Sequence, residues 1–469
     1  MKNKLSLQQT QALRGLAILG IILHNYCHFL KFAVKENEYT FTAEKPRQLL
    51  EKLMSIDSDL FIHILSFFGH YGVPVFLFIS GYGQVKKYEA PHSAPEGATN
   101  VSAHDGNVAA ASVSGRNGQA TNVSAHDGNV APSGAEGGAS SSSLSSSLSF
   151  LLRHFRKLFR LMIWGYLLFV AVYFLRHDDG ATVYSWDRIA AQLTMTVNFL
   201  YEHPDRIIKP GPYWYFGLMM QIYALYIFVI HRWRSNWLLL ALVAVCWMVQ
   251  VIVPAPDVLN FVRYNFIGGM LPFALGVALA RCENSESRCE VRGTRYENSE
   301  SRCEVRGAGY ENSDEGQTSD LDSNLAPSHL RTSAPTDSNL APSHLPTSAP
   351  TDSNLAPSHL RTSAPTIIFS ALAVFAGSFW FHSWLWVPLF IVVGAVATVW
   401  LMPQWFLKPC AWVGGISAAL FVMHPLMREI IIPHYRHTDI YFGIAVYLLA
   451  SVAAAMLLQW LTSKSKTKK

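Results

Sequence analysis

The chain alternates long apolar runs with polar breaks. The runs fall at about 13–33, 60–82, 158–175, 213–231, 236–253, 261–280, 366–382, 384–402, 411–432 and 439–462. A bilayer core about 30 Å thick is crossed by roughly 20 apolar residues of helix. The pattern therefore predicts an all-α polytopic membrane protein of about ten transmembrane helices. An even number of spans puts both termini on one side.

Two segments lose the pattern. In 84–150, ATNVSAHDGNVA at 98–109 recurs at 120–131 and is followed by SSSLSSSLS. In 282–365, CENSESRCEVRG at 282–293 returns as YENSESRCEVRG at 296–307, and DSNLAPSHL starts at 322, 337 and 352. Such low-complexity polar tracts bury no core and read as disordered inserts. One membrane domain remains, made of 1–83 with helices one and two, 151–281 with three to six, and 366–469 with seven to ten and a basic tail.

Composition agrees. Half the residues are hydrophobic and 15% are charged, against about 25% charged in soluble domains. The net charge of +5 is no nucleic-acid footprint. Lys2, Lys4, Arg153, Arg156, Lys157, Arg160, Arg232, Arg234, Lys408 and the tail all fall on one side. By the positive-inside rule that side is the cytoplasm, and both inserts lie there too. The sequons at Asn100 and Asn122 would then carry no glycan. The six cysteines have no CxxC spacing, so neither a metal site nor a disulfide framework is expected. The first apolar run is too long, and too rich in histidine, for a cleaved leader.

That first run carries the chemistry. LRGLAILGIILHNYCHFLKF holds Arg14, His24 and His28, and an ionisable group in a span costs about 2.5–3.5 kcal/mol on insertion scales. Arg14 and His24 are ten positions apart, roughly 15 Å along a helix. A neutral imidazole in a dry site can accept a hydroxyl proton. His28, one turn on, is a second relay or lines the lumen. Arg14 reads either as a snorkelling anchor or as an anion clamp. Arg153, Arg156, Lys157 and Arg160 make one basic helix face, suited to lipid phosphate or to a phosphate-rich soluble donor. There is no Walker loop and no GxGxxG cradle, which argues against nucleotide hydrolysis. His424 precedes Pro425, where a kink would line a cavity or a packing histidine would suffice. Trp214 and Tyr215 sit where an aromatic belt would lie. Ser80 in FISGYG reads as close helix packing.

In order, RGLAILGIILH at 14–24, VPVFLFISGY at 73–82, RKLFR at 156–160, WYFGLMMQIYALY at 214–226 and MHP at 423–425 resemble motifs of the membrane-bound acyltransferase 3 family, which includes bacterial O-acetylases of surface polysaccharides. The resemblance covers the spans and neither insert. It implies acyl transfer from cytoplasmic acyl-CoA, in the first place acetyl-CoA, to a hydroxyl of a lipid-linked or cell-surface glycan, in a bacterial inner (cytoplasmic) membrane. His24 and Arg14 would be catalytic, and Arg153, Arg156, Lys157 and Arg160 would bind the CoA phosphates. His28, Trp214, Tyr215 and His424 would lie toward the acceptor. No cofactor would be held permanently, and the partners would be donor, glycan and membrane lipid. The family usually has ten residues between its first-span Arg and His; here there are nine. A one-residue shift turns a side chain by about 100°, which leaves His24 and His28 both open as the base. The alternative from another class is a proton-coupled transporter or flippase that uses the buried histidines as a proton path.

Overall fold

In the computed structural model, the described residues are 4–36, 40–56, 58–89, 138–200, 209–253, 256–307, 358–437 and 439–464. Among them the regular structure is helical throughout. The chain divides into a unit of Met1–Asn284 with His359–Lys469 and a second of Ser285–Ser358. The first contains the site. In the second, the described residues are helical through Gly307.

In chain order the helices are α1 (Leu7–His28), α2 (Glu44–Ser55), α3 (Leu60–Phe68), α4 (Gly72–Tyr88), α5 (Gly138–Arg176), α6 (Trp214–Leu225), α7 (Asn236–Ile252), α8 (Pro256–Tyr264), α9 (Phe266–Gly307), α10 (Ser358–Gly377), α11 (Val387–Leu401), α12 (Gln404–Tyr435) and α13 (Ile440–Lys464). Short turns of helix lie between them. Among the described residues, Leu60–Tyr88, Leu144–Arg176, Gly211–Trp233, Phe266–Glu286 and Ile440–Thr462 are each long and apolar enough to cross a membrane, and α12 is a bent pair that together passes the same test. Trp164, Leu167 and Leu168 on α5, Leu240 and Val245 on α7, Ile368, Phe369 and Leu372 on α10, and Leu449 and Leu457 on α13 are all exposed. Apolar surface this extensive is not left to water. The protein is embedded in a membrane.

α1 is the axis of the unit. It begins on a capping box, with Gln9 N–H donating to Ser6 Oγ at 3.1 Å and Ser6 N–H donating to Gln9 Oε1 at 3.0 Å, which satisfies two of the amides a helix start leaves open. It then packs against α3, α4, α11, α12 and α13. Lipid offers no hydrophobic drive between helices, so association rests on close packing. The α1–α12 crossing shows how close. A Cβ on Gly15 would overlap the Cys410 carbonyl, and one on Gly414 would overlap the Gln11 carbonyl.

Several elements differ from the sequence expectation. α5 begins at Gly138, inside the stretch read as an insert, and α9 continues to Gly307 through the second one. Glu283 and Asn284 belong to the packed unit. Glu283 accepts from Tyr82 Oη at 2.7 Å and pairs with Lys86 at 2.7 Å, and Asn284 Oδ1 accepts from Lys86 at 3.0 Å. Span two is interrupted by a 3-10 turn at Gly69–Tyr71. The expected span at 261–280 is divided between α8 and α9 at Asn265. α12 bends by 72° between Gln404–Gly415 and Ser417–Tyr435, well before Pro425, where the sequence placed the kink.

One end of the bundle is clamped by Glu89. Its carboxylate takes both Nε and Nη2 of Arg281, at 2.9 and 3.1 Å, and the Tyr226 hydroxyl at 3.1 Å. Burial alone would raise its pKa. The His231, Arg281 and Tyr226 hydrogen bonds and the Arg281 charge outweigh that and hold it down to about 2. A depressed carboxylate contributes stability above its unfolded pKa, near 4.3, and loses it as pH falls toward the folded value. Glu89→Gln should therefore unfold at a lower temperature than wild type at neutral pH. The gap should close as pH falls from about 5 to about 2. A gap independent of pH in detergent melts would contradict the clamp.

Candidate functional site

At one end of α1, His24 is oriented by its own packing. Its Nδ1 lies 2.9 Å from the Ser66 carbonyl oxygen. A carbonyl only accepts, so Nδ1 carries the proton and Nε2 keeps its lone pair. Nε2 is 3.8 Å from Glu36 Oε1. The other carboxylate oxygen, Oε2, accepts from His28 Nδ1–H at 2.9 Å. His24 and Glu36 are buried, whereas the His28 side chain is 38% exposed. The three thus form a line from the interior to the surface.

Glu36 reaches this position because the chain after α1 folds back over the helix end. Lys35 Nζ donates to the His28 and Leu30 carbonyls, a basic side chain placed where helix carbonyls lack partners. Val34 N–H donates to His63 Nδ1 at 3.2 Å, and Lys45 Nζ donates to the Glu36 carbonyl at 2.6 Å. Burial would raise the Glu36 pKa. The His28 hydrogen bond and the charges of His24, His28 and His70 more than offset it and hold the carboxyl well below the usual range. Beneath His24 lies Gly69, where a Cβ would stand 2.5 Å from His24 Cβ and 2.6 Å from the Gly20 carbonyl oxygen. Gly69→Val should therefore displace His24 and abolish function while protein is still produced. An active Gly69→Val variant would show that this packing does not set the imidazole.

The donor atoms of His24, His28 and Glu36 all lie within 4.8 Å of one another, close enough to share a metal ion. The cysteine spacing carried no hint of this grouping. In the geometry described, His28 Nδ1 donates a proton to Glu36, so a metal would take the Nε2 lone pair of His28 or displace that proton.

At the other end of α1, Arg14 is half-buried beside Tyr215 and Tyr223. No carboxylate of a described residue reaches it. Tyr215 is hydrogen-bonded with Ser80, so the FISGYG segment positions a tyrosine as well as packing closely. The Tyr223 ring is 4.5 Å from His154, and His154 senses the charges of Lys157, Lys87 and Arg153. The structure thus sets His154, which shares a helix turn with Arg153 and Lys157, against Tyr223 and adds Lys87 near it. Lys87, Arg153, Arg156 and Arg160 are all exposed.

No family model, curated protein or solved structure matches the chain. The site therefore has to be read from its own geometry.

The remaining predicted residues separate. Trp214 is buried at the start of α6, edge-on to Tyr264 at 5.0 Å, so it is not a belt residue. Tyr215 faces inward beside Arg14. His424 is fully buried, with Nδ1 3.1 Å from the Leu420 carbonyl oxygen and the ring beside the Phe421 carbonyl. Proline at 425 removes the amide that would bond to Phe421. His424 thus bonds the Leu420 carbonyl through Nδ1, keeps a buried Nε2 without a hydrogen-bond partner among the described residues, and stands outside the His24 group.

Sequence reasoning missed Glu36, His70, Tyr223 and Lys87. His70 sits in the 3-10 turn with its ring 5.5 Å from His24. Apolar periodicity could not single out a residue in a loop or in a break of a span.

Proposed function

We propose that the chain is an integral-membrane O-acyltransferase, resembling the acyltransferase 3 family, that moves an acetyl group from cytoplasmic acetyl-CoA to a hydroxyl of a lipid-linked or cell-surface glycan. One observation carries the reading. A single helix holds a half-buried guanidinium that no carboxylate of a described residue reaches, near a basic rim, and ten residues on it holds an imidazole whose free nitrogen is fixed. A cation held partly out of water with no described carboxylate beside it favours an anionic or strongly polarised ligand.

In this reading α1, the five long helices, the bent α12 and the shorter α7, α10 and α11 make ten spans. Both termini and the basic rim face the cytoplasm of a bacterial inner membrane. Arg153, Arg156, Lys157 and Arg160, joined by Lys87, hold the CoA phosphates. Arg14 steadies the donor where its pantetheine arm leaves the phosphates, and the slender arm follows α1 about 15 Å so that the thioester at its tip lies beside His24. His24 Nε2 takes the proton from the acceptor hydroxyl as its oxygen attacks the thioester carbon. The C–O bond forms, the C–S bond breaks, and CoA leaves as thiolate. Glu36 steadies the imidazolium, and His28 passes the proton toward the surface. The free Nε2 and the burial favour His24 over His28 as the base.

The test uses purified protein in liposomes, labelled acetyl-CoA and glycan lipid from the native host. Label should pass to the glycan. Solute moved across the vesicle with acetyl-CoA unconsumed would make the protein a transporter. In the same assay, EDTA or phenanthroline should leave the rate unchanged. A rate lost to chelator and restored by a divalent cation would make His24, His28 and Glu36 a metal centre instead.

A further inference from the structure

Against His70, whose ring is 5.5 Å from that of His24, lies a cavity that the mechanism above does not use. Its wall includes His70, Trp214 and Arg263, with Val73, Leu77 and Leu218 among its apolar residues. No acidic side chain of a described residue lines it. His70 is 6% exposed, and neither of its ring nitrogens has a hydrogen-bond partner. A buried imidazole left unbonded costs free energy unless a ligand or water completes it. Arg263 is held in place: Nη1 donates to Gln250 Oε1 at 3.1 Å, and the guanidinium lies 4.1 Å over the Trp384 ring.

We propose that this cavity is the acceptor site and that it selects a sugar carrying a negative charge near the hydroxyl to be acylated; this rests on the acyltransferase reading. The wall supplies what such a ligand needs. The indole of Trp214 offers a flat apolar face to the C–H face of a sugar ring. The Arg263 fork matches a carboxylate or a phosphate. His70, through either ring nitrogen, meets a hydroxyl. Its ring is 5.5 Å from that of His24, so a sugar held against His70 has its hydroxyl one side chain from the base.

The experiment is equilibrium binding to the full-length purified protein. The probes are a uronate-bearing disaccharide, its carboxyl-reduced counterpart and a hexose 1-phosphate. Wild type should bind at least one anionic probe about ten- to hundredfold more tightly than the neutral one, as expected for a hydrogen bond to a charged group. The preferred anion then tells carboxylate from phosphate. Arg263→Gln should remove the preference. His70→Gln, which keeps the Arg263 charge, should weaken every probe and retain the preference, and it carries the test if Arg263→Gln fails to fold. Equal binding of all three probes by wild type, or a preference that survives Arg263→Gln, overturns the proposal. Binding is read without turnover, so failure to transfer acetyl groups would overturn the enzyme reading separately.

Discussion

His24→Ala lowers the rate of acetyl transfer by about a hundredfold to ten-thousandfold, the usual contribution of a positioned general base. The magnitude follows from geometry. The Ser66 carbonyl fixes the proton on Nδ1, and Nε2 is left as a lone pair 3.8 Å from Glu36. Removing the ring takes away the nitrogen whose lone pair this geometry holds ready for the acceptor hydroxyl. Glu36→Gln keeps the imidazole and loses a carboxylate partner, so its fall should be smaller, about ten- to hundredfold. His28 stands one step further out, and His28→Ala should slow the reaction least of the three. Rates for the three variants at matched protein check the order. If His28→Ala falls furthest, the base has been placed one turn too early on α1.

Gly414→Leu yields little or no folded protein. The α1–α12 crossing brings Gly15 against the Cys410 carbonyl and Gly414 against the Gln11 carbonyl. Both obstacles are backbone, which cannot rotate aside as a side chain can. Overpacking a core typically costs about 1–3 kcal/mol when neighbours can shift, and a cost above about 4–5 kcal/mol marks a clash that cannot relax. The second kind applies here, because α1 is packed on its other sides by α3, α4, α11 and α13. Monodisperse protein after detergent extraction is the readout. Gly83→Leu, at a glycine with open space around its would-be Cβ, should extract normally. Equal yields of the two variants would mean that the crossing is looser than described.

The axis of the fold was legible in the sequence because it breaks a rule. Arg14, His24 and His28 stand in an apolar run where charge is costly, and the structure makes that run the helix the others surround. The basic lead-in was legible as a helix face, although the histidine within it, His154, which packs against Tyr223, was not singled out. What escaped was set by long-range packing. Glu36 acquires its place only when the chain after α1 folds back under the hold of Lys35 and Lys45. His70 depends on a 3-10 break that apolar composition conceals. The bend in α12 sits between Gly415 and Ser417 and not at the proline, and His424 lies apart from the His24 group, bonded to the Leu420 carbonyl. Glu283 and Asn284 looked like insert because the repeat begins at Cys282, yet they bond to Lys86 and Tyr82.

The measurement that bears most directly on the central claim is the acyl-ester content of surface glycans in the native host, by NMR or mass spectrometry. Wild type and His24→Ala are compared at equal membrane abundance. Loss of a glycan ester in His24→Ala is the result predicted here, and the missing ester names the acceptor. An ester pattern identical in the two strains would contradict acyl transfer by this chain and turn attention to the proton path of a transporter.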